Sequence, residues 1–177
     1  MQSLDLASTI AEIAVALAGF SGLVLVLGQR RDRLTELERY RLILLLTPSL
    51  VALFMALAPL ALLETGIGSM LLWRAASGVQ GFICVGLVAG FSPWTRRIMR
   101  ESPEVFHSPQ LALVAGGYLL NAALQGLHAA GLFGSQNPGI YLIGLVFLLM
   151  HAAHQFVRIL LVRPRLRIFS RSGERHS

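Results

Sequence analysis

Five apolar runs, at residues 6–28, 36–63, 68–91, 110–133 and 139–162, constrain this chain more than any other feature. Each reaches the roughly 20 residues that an α-helix, rising about 1.5 Å per residue, needs to cross the hydrocarbon layer of a bilayer. No water is available there to satisfy backbone N–H and C=O groups, so such runs fold as helices. The expected fold is all-α, an integral membrane bundle of five transmembrane helices forming one domain over residues 1–162, with a basic tail at 163–177. Only 14% of the residues are charged, against about a quarter in soluble domains, and no stretch is left for a separate soluble domain.

The charges that remain are placed by side of the membrane. Of the 15 basic residues, all arginine, five fall between Arg30 and Arg41, three between Arg96 and Arg100, and six from Arg158 onward. Only Arg74 lies at the other end, which by the positive-inside rule puts the N-terminus outside and the C-terminus and tail in the cytoplasm. The net charge of +6 therefore reports topology, and no arginine-bearing helix is built to enter a nucleic-acid groove. Arginine-only usage with abundant Ala, Leu, Gly and Val reads as GC-rich coding and carries no mechanistic weight; the expected location is a bacterial inner membrane. Ala16-Leu17-Ala18 resembles a signal-cleavage site, but Asp5 and Glu12 precede it with no basic residue, so the first helix is read as retained. The lone Cys84 is a small packing residue inside an apolar run.

Along the first helix Ala7, Ala11, Ala14, Ala18 and Ser21 form a strip of small side chains suited to close helix contact, within the subunit or between subunits. Glu12 lies on a different face with Val15, Ala16, Gly19 and Leu23. It is either a proton or cation site or a carboxyl reaching the interface. Thr35 and Glu38 fit a capping box at the start of the second helix, where Pro48 and Pro59 predict kinks or freed carbonyls. Arg74 either snorkels beside a belt tryptophan, Trp73, or pairs with Glu12. Ser92-Pro93 predicts a separate interfacial helix over 92–100, and Ser108-Pro109 opens the fourth helix. Leu71–Ser77 resembles Leu148–His154, a hint of parallel repeats pairing helices two and three with four and five.

The functional signal is two polar stripes with helical spacing. One runs through Gly117, Asn121, Gln125 and His128; the other through Ile140, Gly144, Phe147, His151, His154, Gln155 and Arg158. They are expected to face each other. Intramembrane ionisable groups normally face a bundle interior or a water-filled cavity, and histidine titrates near neutrality with two nitrogens that can hand on a proton. Glu12, Asn121, Gln125, His128, His151, His154, Gln155 and Arg158 thus outline a polar path for protons or a small ion, with Glu12 and His128 as the outer entry and Asn121 level with His151. Arg158 opposes cation flow. The small-residue strips point to a homo-oligomer.

Two other classes remain open. His128, His151 and His154, with Glu12, could ligate a divalent metal, whereas a bis-histidine haem is disfavoured because His128 and His151 differ in depth. A membrane subunit whose stripes dock a partner is the third class, and otherwise no cofactor is expected. An enzyme is not expected, since His-Glu-x-x-His, Gly-x-Ser-x-Gly and phosphate-loop patterns are absent.

Overall fold

A computed structural model describes residues 2–29, 36–101, 108–133 and 138–162. They form five helices: α1 (Gln2–Gln29), α2 (Glu36–Leu63), α3 (Ser69–Glu101), α4 (Ser108–Ala129) and α5 (Gly139–Val162). The expected cap at Thr35 and the basic tail lie outside the described residues. Helices α2, α3 and α5 each hold a segment long and apolar enough to cross a membrane, which marks a multi-pass membrane protein. The exterior agrees. Phe82 is 79% exposed and Leu113 77%, with Phe54, Leu71, Ile143 and Met150 also outward, while Ser77, Gln80, Asn121, Gln125, His128 and Gln155 are buried. Apolar outside and polar inside suits lipid as the solvent.

Packing divides the helices into two groups. Helices α1, α2 and α5 lie on one another, and α3 lies on α4; the groups meet less extensively through α2–α3, α4–α5 and α3–α5. The small strip of α1 works within the chain: Ala7, Ala11 and Ala14 are buried and share a core with Ala52 and Ala56 of α2. Alanines on both sides let the backbones approach closely. A two-fold character is visible, because α5 lies on α2 as α3 lies on α4. The short sequence repeats do not follow it: Trp73 stands one turn into α3, its counterpart Met150 about three turns into α5.

Several local expectations are corrected. Ser92-Pro93 starts no new helix; α3 runs through Pro93 to Glu101. Packing on α2 holds that last stretch, through Trp94 edge-on to Tyr40 at 5.1 Å, a 2.6 Å hydrogen bond between the Tyr40 and Thr95 hydroxyls, and buried Ile98. Arg97 adds exposed ion pairs to Glu36 at 3.5 Å and Glu101 at 3.1 Å, which solvent weakens. Helix α4 ends at Ala129, short of the expected 133. Gly131 takes a left-handed φ of 88°, and its N–H and that of Leu132 return to the carbonyls of His128 and Leu127, a glycine C-cap.

Both prolines of α2 sit inside a continuous helix. Proline has no N–H, so Pro59 leaves the Met55 carbonyl without its helical donor. The hydroxyl of Tyr141, on α5, donates to that carbonyl. The freed acceptor is thereby turned into a contact between helices, as burial in a membrane protein requires. Trp73 is no belt residue; it is buried, with its ring 5.7 Å from that of Tyr141.

Candidate functional site

The two stripes meet across α4 and α5, and α3 completes them. At Gly117 a β-carbon would lie 2.8 Å from Phe147 Cζ, so any larger residue would push that ring aside. One turn on, the carboxamides of Gln80, Asn121 and Gln125 converge on Gly144, where any β-carbon would overlap all three. Asn121 Nδ2 donates to the Gly144 carbonyl at 3.3 Å and lies 3.5 Å from Cys84 Sγ. Gln125 Nε2 donates to the Ile140 carbonyl at 2.8 Å and to Asn121 Oδ1 at 3.3 Å. Among the described residues Gln80 Nε2, Gln80 Oε1 and Gln125 Oε1 are buried with no hydrogen-bond partner. A plane of three amides with spare donor and acceptor capacity thus crosses the bundle.

Above this plane, at the arginine-poor end, His128 Nδ1 is 2.7 Å from Ser77 Oγ on α3. Arg74 donates from Nε to the Ala129 carbonyl at 2.8 Å, and the guanidinium passes beside Gly131. It caps the C-terminus of α4, where the helix dipole favours a cation. Among the described residues it forms no ion pair with Glu12. That carboxyl is exposed on the outward face of α1, with Val15, Ala16, Gly19 and Leu23. Because α1 packs on α2 and α5, Glu12 is not brought to His128.

Below the plane, His151 does not stand level with Asn121. Gly144 holds that level, and His151 lies seven residues, or about 10 Å, further along α5. Its ring is buried edge-on to Tyr118 at 5.3 Å, and Gln155 Nε2 approaches its Nε2 at 3.5 Å, a marginal distance. His151 opens on a cavity of about 350 Å³ between α2, α3, α4 and α5 at the arginine-rich end. Tyr40, Arg41, Arg96, His154, Gln155 and Arg158 line it near the mouth, and Leu44, Pro48, Leu87, Val88, Val114 and Tyr118 line it further in. His154 is itself exposed on this wall.

His128 and the pair His151/His154 therefore lie on opposite sides of the amide plane. Among the described residues no three His, Cys, Asp or Glu side chains gather as a metal site. Glu12, His128, His151 and His154 are thus not gathered at one place. Ser77, Gln80 and Gly81 of α3 complete the polar interface but are missing from the set of candidate residues. Their spacing was readable, since Ser77, Gly81 and Cys84 mark one small-residue face beside Gln80. No family model, curated protein or solved structure matches the chain.

Proposed function

We propose that the chain is a five-span protein of a bacterial inner membrane, with its arginine-rich end in the cytoplasm, that passes protons along the α3–α4–α5 interface. The observation carrying this reading is the buried row from Ser77 and His128, through the Gln80–Asn121–Gln125 plane, to His151 at the cavity. Histidine at each end offers two ring nitrogens, one able to accept a proton while the other gives one up. Carboxamides do not ionise in that range, so transfer across the plane runs through water hydrogen-bonded to Gln80 and to Gln125 Oε1. His151 and His154 then deliver the proton to the cavity. Arg41, Arg96 and Arg158 around the mouth repel cations in free flow. Glu12 has no part in this path. Its outward row on α1 supports a homo-oligomer, since a carboxyl facing lipid is costly and a neighbouring copy would cover it.

The test is internal pH in proteoliposomes under an imposed proton gradient. Wild-type protein is expected to acidify the lumen, whereas His151→Ala with His154→Ala, and separately Gln80→Leu, lose the flux while remaining folded and monodisperse. Equal flux in all three, or none from wild type, overturns the reading.

A further inference from the structure

The cavity at the arginine-rich end has a volume and an apolar wall that proton passage does not require. Its volume, about 350 Å³, falls in the range of small-molecule sites, about 300–1,000 Å³. Arg41 is buried on its wall, and Arg158 and Arg96 face the same space. Among the described residues the ion pairs are those of Arg97 with Glu36 and Glu101, and none involves these three arginines. Arg158 acts on Arg41 as a like charge, partly offset by Glu38, one turn earlier on α2. A buried guanidinium held near a second one is costly unless an anion joins them, and planar guanidinium forks match carboxylate and phosphate oxygens.

The cations are confined to one end. Moving inward along α2 the lining passes from Arg41 to Leu44 and Pro48, and along α3 from Arg96 to Phe91, Val88 and Leu87. Within about 10 Å a basic rim becomes an aliphatic wall. An inorganic anion would satisfy the rim and leave the wall unused. We infer that this cavity binds a single-chain anionic amphiphile, its head between Arg41, Arg96 and Arg158 and its chain against Leu44, Leu87 and Val114.

This site stands whether or not protons cross the amide plane. Calorimetric titration of the full chain in phosphatidylcholine nanodiscs, with empty discs subtracted, tests it using dodecyl phosphate, inorganic phosphate and dodecyltrimethylammonium. Dodecyl phosphate is expected to bind saturably at one per chain, with inorganic phosphate weaker by about 100-fold and the cation not bound. Arg41→Gln with Arg158→Gln should raise the Kd for dodecyl phosphate by about tenfold or more. Ala115→Trp, which fills the cavity and leaves the arginines intact, should weaken the same ligand and carries the test if the arginine variant does not fold. Non-saturable binding, an unchanged Kd in the folded variants, or inorganic phosphate matching dodecyl phosphate each overturns the inference. Flux lost without binding, or binding lost without flux, tells the two sites apart.

Discussion

Gly144 shows how much one missing side chain can hold. Each of the three amides around it ends a flexible side chain and could swing aside alone. Together they are buried, and moving them breaks the bonds of Asn121 to the Gly144 carbonyl and of Gln125 to Asn121. Gly144→Ala is therefore expected to cost about 1–3 kcal/mol by overpacking, read as a lower thermal unfolding midpoint in detergent. The helical period puts Gly117, Asn121 and Gln125 on one face and Ile140, Gly144 and Phe147 on another, so this meeting was legible from spacing. Gln80 falls at the depth of Asn121 by the same counting, but a single amide within a run of small residues does not say which helix it meets. Counting residues from the helix ends sets Asn121 level with His151, whereas it meets Gly144. Depth counted from uncertain helix ends drifts by a turn or more, and α4 in fact stops at Ala129.

At the scale of elements, α2 and α5 are joined by a bond that each supplies for a different reason. Pro59 frees a carbonyl and Tyr141 fills it. Tyr141→Phe should destabilise the protein by about 1 kcal/mol, in the range of interhelical hydrogen bonds in membranes and of unsatisfied buried acceptors. In a Pro59→Ala background the helix recovers its own donor to Met55, and the same substitution should then cost little. A double-mutant cycle on unfolding free energy measures the difference; additive effects would show that Tyr141 does not serve the freed carbonyl. The prolines were readable as sites of freed carbonyls, but the identity of the donor was not, since 86 residues separate Tyr141 from Met55. The continuation of α3 past Pro93 was hidden likewise, because Tyr40, Trp94 and Thr95 hold it by contacts with another helix.

For the whole molecule, the cavity is the feature that sequence spacing could not provide. Spacing says which faces meet, whereas the cavity forms where the α1–α2–α5 group and the α3–α4 pair stand apart. Orientation rests on arginine placement and gives a direct expectation. In Cys84→Ser protein, a single cysteine at Thr65 should react with a membrane-impermeant maleimide added to intact cells, and one at Glu101 only after lysis. The reverse pattern would invert the topology. The same division into groups bears on how the chain is made. Helices α3 and α4 close Ser77 on His128 and Arg74 on Ala129 between themselves, so that hairpin can complete these bonds as soon as it has emerged. The Met55 carbonyl, exposed early by Pro59, waits for Tyr141 on the final helix. A chain inserted from its N-terminus thus carries one unsettled acceptor while the next 86 residues are made, and the arrival of α5 is the event that locks the second helix in place.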